Sequence, residues 1–90
     1  MNIKSGLLKH ANTGSITTDG DGDYKIDSIV NGTTKIPIAL KCSNNNPSAL
    51  PYVFYATGGS VFIRFFKRDN TGNASSTSIG VVTVYYLDFT

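Results

Sequence analysis

The residues with the most chemical potential stand together in TTDGDGDYKID, residues 17–27, where Asp19, Asp21 and Asp23 alternate with glycines. Alternate carboxylates are one way to wrap a hard cation, since calcium takes about six to eight oxygen ligands. The spacing opens an EF-hand loop, and Asp27 falls at its ninth position. The rest departs from that pattern. Tyr24 stands where the sharp-turn glycine belongs, and Val30 where the bidentate glutamate belongs. The chain has no glutamate, and no helical periodicity flanks the loop. Asp-Gly steps with Gly20 and Gly22 supplying positive φ read instead as a tight hairpin turn. A metal site at Asp19, Asp21 and Asp23 is kept as the second reading.

Other reactive groups are isolated. His10 is the only histidine and sits in a polar segment, which favours a solvated side chain. Cys42 is the only cysteine, so no disulfide can form within the chain. It falls on the apolar side of an alternating run, as a buried structural thiol does. One Cys and one His cannot build the usual zinc site. No phosphate-binding loop, dinucleotide fingerprint or nucleophile elbow is present. A glycosidase pair would have to be two aspartates, and four of the six aspartates lie in the one turn region. The reading is therefore of a protein that is not an enzyme and needs no cofactor. Asn31-Gly-Thr and Asn73-Ala-Ser match the glycosylation acceptor pattern, which has little weight without an export signal.

A polar binding surface is the chemistry that remains. Planar polar side chains beside an aromatic ring hold sugars, and Asn44–Asn46, Asp69–Asn73, Tyr52 and Tyr55 offer them. Such loops are also ordinary turn formers on any surface.

The elements that must carry these loops are strands. Residues 2–8, 15–17, 24–30, 34–42, 52–56, 61–68 and 79–89 read as short runs separated by Gly, Asn, Asp and Pro clusters. In TKIPIALKC, Ile36, Ile38, Leu40 and Cys42 share one face, with the lysines on the other, and Pro37 suits an edge strand. Asn31-Gly32 is the strongest short hairpin signal. Gly58-Gly59 joins two apolar runs. Val61, Ile63 and Phe65 share a face with Lys67, and Phe62, Arg64 and Phe66 share the other with Arg68. About seven strands at this spacing predict one all-β domain over residues 1–90, an antiparallel β-sandwich. Late strands that are apolar on both faces predict association with further copies, through Phe62, Phe66, Val82 and Val84.

A net charge of +2 argues against nucleic acid or an anionic membrane as partner. Arg64, Lys67 and Arg68 read as a solvated strand end. No run has the length of a membrane span, and the N-terminal residues lack a signal-peptide core. Reaching a cell surface would then need another route, such as lysis.

The order IKSGLL, YKIDSI, TKIPIALKC, GGSVFIRFFKRDNTG and VVTVYYLDF resembles the small β-sandwich tips of bacteriophage tail fibres and receptor-binding proteins, and the related H-type lectin-like domains. Those domains usually carry Trp in the last strand, where this chain has Tyr85 and Tyr86. They are normally fused to a long shaft, which leads to the expectation of a small separate virion protein or a free-standing lectin-like module. The resemblance implies a homotrimer, or a hexamer of two trimers, other virion proteins as neighbours, and a host-surface glycan as ligand. The alternative is a structural protein that decorates capsid or tail. If the loops starting at Ser43 and Asp69 open at one end of the sandwich, Asn45, Arg68, Asp69 and Asn70 form the ligand site, with Tyr52 as a stacking face.

Overall fold

The computed structural model describes residues 7–42, 50–69 and 71–90. Six strands follow in order: β1 (Leu8–Thr17), β2 (Asp23–Lys25), β3 (Lys35–Cys42), β4 (Tyr52–Thr57), β5 (Ser60–Phe65) and β6 (Ser78–Asp88). They form two antiparallel three-stranded sheets, β1-β6-β3 and β2-β5-β4. There is no helix among the described residues, and thus none long and apolar enough to cross a membrane.

The two central strands supply most of the core. In β5, Val61, Ile63 and Phe65 are buried and the residues between them half-buried, as period-two alternation requires. In β6, Val82 and Val84 are fully buried. Ile16 and Ile79 from the first sheet, and Ile26, Val30 and Ala74 from connections, complete one cluster fed by both sheets.

Val82 and Val84 therefore belong to the chain's own core and not to an interface between copies. The apolar run of β6 reads as two-faced because Val81, Tyr85 and Leu87 of its outward positions are also apolar or aromatic. Phe62 and Phe66 stay half-exposed.

Local departures from the sequence expectation have physical causes. Residues 2–6 and 43–49, with Asn70, lie outside the described residues. The strand expected to begin at residue 2 is described only from Leu8, and β1 runs through HANTGSIT, which read as mostly turn. Its turn-forming residues make a bulge: the ladder slips between Asn12 and Ser15, and the Val82 amide donates to the Thr13 hydroxyl at 3.2 Å.

The run at 24–30 is a strand only to Lys25. From there the chain turns on itself, with the amides of Ile29 and Val30 both donating to the Ile26 carbonyl. That turn buries Ile26 and Val30 as a plug in the core.

Asn31-Gly32 does not close a hairpin, because β2 and β3 lie in different sheets. The Asn31 Oδ1 accepts the amides of Thr33, Thr34 and Lys35, so the residue caps a crossing between the sheets.

In β3 the ladder to β6 slips between Pro37 and Ala39. Leu40 and Cys42 keep the core side, while Ile38 is extruded and exposed. A proline has no amide to give the ladder, so the bulge sits beside it. β3 is an edge strand, as Pro37 suggested.

The residues from Asp19 to Asp23 form a tight turn, with the Asp19 amide on the Asp23 carbonyl at 3.0 Å and the Gly22 amide on the Asp19 carbonyl at 3.1 Å. It too passes the chain from one sheet to the other and does not join paired strands. Of its two glycines, Gly22 alone has positive φ. A Cβ built on Gly22 would stand 3.0 Å from the Phe65 carbonyl oxygen and 3.1 Å from the Ala74 nitrogen.

Gly22→Ala is therefore expected to destabilise by about 1–3 kcal/mol, from backbone strain plus the clash. Gly58→Ala, also at positive φ but with open space around the new methyl, should cost less. Urea unfolding of the two variants checks the order.

Candidate functional site

The loop end holds a shallow groove of about 390 Å³ lined by Leu50, Lys67, Arg68, Asp69, Ala74 and Thr77. Backbone bonds bring its walls together. The Phe66 amide donates to the Pro51 carbonyl at 2.9 Å, and the Lys67 amide to the Gly72 carbonyl at 2.8 Å. Phe66 bridges to Asn73. The chain leaving β5 is thereby clamped between the approach to β4 and the approach to β6.

Of the expected ligand residues, Arg68 and Asp69 line this groove. Asn45 and Asn70 lie outside the described residues. Tyr52 is no stacking face. It pairs with Phe65 on the inner side of the sheet, its hydroxyl accepts the Leu40 amide at 3.0 Å, and its ring stands edge-on to Phe54. Counting alternation back from Phe65 would have put Tyr52 inside. Leu50, Ala74 and Thr77 carried no signal in the sequence.

The groove presents both signs of charge. Lys67 and Arg68 are exposed and have no ion-pair partner among the described residues. The Asp69 Oδ1 accepts the Thr71 hydroxyl at 2.6 Å and the Thr71 amide at 3.1 Å. Those bonds lower the Asp69 pKa and hold the carboxylate ionised. A cationic rim beside an oriented carboxylate and the Leu50 side chain can hold a polyhydroxylated ligand by charge-assisted hydrogen bonds.

A second constellation escaped the sequence reading. Arg64 is not a solvated strand end. Its Nε donates to Asp23 Oδ1 at 2.7 Å and its terminal nitrogen to Asp23 Oδ2 at 3.0 Å, a two-pronged contact. The Tyr55 hydroxyl also donates to Asp23 Oδ2. The guanidinium lies 5.0 Å from the Tyr55 ring centre, and that ring stacks on Phe62. Asp23 is buried, and the Arg64 hydrogen bonds hold its carboxyl below the usual range against the opposing effect of burial. Its own hydrogen bond to Asp23 raises the Tyr55 pKa, and the hydrogen bonds to Asp23 raise that of Arg64. The available signal was alternation, which sets Arg64 beside Phe62 on the outer face, but the partner follows only from register.

The carboxylates of Asp19, Asp21 and Asp23 lie within 4.8 Å of one another. Half of their six oxygens already have work. Asp19 Oδ1 accepts the amides of Asp21 and Asp23, and both Asp23 oxygens serve Arg64 and Tyr55. A cation held by all three would have to compete with the guanidinium for Asp23. Excess calcium or chelator is accordingly expected to leave the melting temperature unchanged, and a calcium-dependent rise by mass action would show the aspartates to be ligands.

His10 and Cys42 sit on opposite faces of the first sheet, His10 beside half-buried Tyr85 and Cys42 opposite buried Val82. Burial pushes the Cys42 thiol pKa up, which disfavours the thiolate.

Asp88 gives a further prediction. The Thr90 hydroxyl and amide donate to its Oδ1, and Lys9 contacts Oδ2 at 3.2 Å, which holds the carboxyl at about 2. A depressed folded pKa contributes stability that is present above the unfolded value of 3.8 and lost as pH falls through about 2. Asp23 acts with the same sign. Thermal melts from about pH 5 to 2 should therefore show an acid limb that is shallower in Asp88→Asn, which should also melt lower at neutral pH.

No family model, curated protein or solved structure matches the chain, so the functional reading rests on its own residues.

Proposed function

We propose that the chain is a small sandwich-type binding module of a phage virion, akin in role to tail-fibre tips, that holds a host-surface glycan in the groove beside Arg68 and Asp69. The observation that carries the reading is the groove itself. Two loops displayed by two sheets bring exposed cations, a fixed carboxylate and an apolar side chain to one place, which suits a sugar better than a reaction. The two sheets pack face to face over their common core as a sandwich. Copies assemble as a homotrimer, or as a hexamer of two trimers, with half-exposed Phe62 and Phe66 at contacts between them and other virion proteins as neighbours. The module works outside the cell after lysis and makes no use of nucleic acid, membrane or cofactor.

A second reading, a structural protein that decorates capsid or tail, is favoured by one feature. The ladder aligns Leu8, Leu87 and Ile36 in an apolar row on the outer face of the first sheet. Leu8 is 56% exposed, and such a row suits docking on a shell.

Arg68→Ala and Asp69→Ala separate the two. Both side chains are exposed, so thermal stability should be retained. On a glycan array or whole bacterial cells, each change should weaken binding about tenfold, the worth of one charge-assisted hydrogen bond. Binding untouched by both changes would move the assignment to decoration.

A further inference from the structure

Sheet edges carry unpaired amides and carbonyls that invite another strand, and proteins blunt them. Among the described residues there are four edge strands, and three are blunted. β3 has Pro37, a bulge at Ile38, Lys35 and Lys41, and its Leu40 amide is taken by Tyr52. β1 has the bulge at Thr13–Gly14 and the inward Lys9 paired with Asp88. β2 is only three residues long. β4, YVFYAT, has no proline, no bulge and no charge, and its register to β5 is unbroken.

The open groups can be identified. Gly58-Gly59 is a two-residue hairpin loop, and the residues flanking such a loop form a hydrogen-bonded pair. Such pairs alternate along an antiparallel ladder. Thr57, Tyr55 and Val53 thus bond to β5, a parity continued by the Phe66 amide on the Pro51 carbonyl. Ala56, Phe54 and Tyr52 direct their amides and carbonyls outward, where no backbone partner meets them among the described residues.

We propose that β4 is a self-association edge, which pairs antiparallel with β4 of a second copy across a two-fold axis at Phe54. That register sets Phe54 against Phe54 and Tyr52 against Ala56, and matches the outward groups in about six backbone hydrogen bonds. It also sets Val53, 46% exposed in the single chain, beside Tyr55 of the second copy. The occupant is another copy because the strand is uncharged throughout, so pairing with itself opposes no like charges. The contact is independent of the groove. A dimer or a hexamer of two trimers contains it, and a lone trimer does not.

Sedimentation of the wild type and of Ala56→Pro tests it, with glycan binding measured alongside. The proline removes one outward amide while leaving the ladder to β5 intact. Val53→Ser keeps every amide and removes only the apolar contact. At about 0.1 mM, where even a small interface is occupied, the wild type should have an even number of copies. Ala56→Pro should halve that number, and Val53→Ser should shift the same transition to higher concentration, with circular dichroism unchanged for both. A monomeric or trimeric wild type, or an even assembly that Ala56→Pro leaves intact, would overturn the proposal whatever the groove binds.

Discussion

The contact between Arg64 and Asp23 holds the least secure part of the fold. The second sheet has one strong strand, β5, and its partner β2 has only three residues, too short to hold itself by backbone bonds alone. The guanidinium fastens β2 at its first residue. Everything downstream depends on that hold. The turn that follows β2 delivers Ile26 and Val30 to the core, and the turn that precedes it is braced against the loop before β6. Asn73 donates to the Asp21 carbonyl, Ser75 to the Gly20 carbonyl, and the Ser76 amide to the Asp19 carbonyl. That loop supplies Ala74 and Thr77 to the groove wall. A charge pair on one sheet thus positions a surface at the end of the molecule.

The pair works because of its setting. An exposed ion pair is worth little, and a buried carboxylate without a partner is costly. Asp23 avoids both extremes. Its oxygens meet two guanidinium donors and a phenol, so its hydrogen-bonding capacity is largely used, while Arg64 keeps part of its surface in water and rests on Tyr55. Thr18 does similar work at the end of β1: its buried hydroxyl donates to the Ala74 carbonyl and accepts the Thr77 amide at 2.8 Å. The loop before β6 is therefore tied from both sheets.

How much of this was legible in the sequence depended on the range of the signal. Alternation in β5 and β6 and the Gly58-Gly59 hairpin are local, and the structure has them. The edge position of β3 followed from a single missing amide. Bulges and sheet crossings were not legible, because Asn-Thr-Gly in β1 and Asn31-Gly32 before β3 have the same composition as hairpin turns. Only the partner strand tells these apart. For the same reason the sequence places Val82 and Val84 at an interface: periodicity separates the faces of a strand without saying which face meets the other sheet. In the candidate site, Arg68 and Asp69 were legible as loop residues beside a basic cluster. Tyr52 takes its inward direction from its pairing with Phe65, which is legible only when alternation is counted through the Gly58-Gly59 hairpin.

The fate of the cations separates folding from function. Lys9, Lys25 and Arg64 each meet an aspartate, and these three pairs draw on Asp88, Asp27 and Asp23. Lys35 and Lys41 lie on the edge strand β3, where charge discourages a further strand from pairing. Lys67 and Arg68 have neither task. They stand past the end of β5, on a loop whose backbone is clamped on both sides, so their positions are constrained although their side chains are exposed. Charge that the fold does not consume, displayed on a braced support, is ready to meet a ligand with less ordering cost than a free loop would incur. The same reasoning explains why the aspartates with the most suggestive spacing make the poorer site: Asp19 and Asp23 are already committed to the turn and to Arg64.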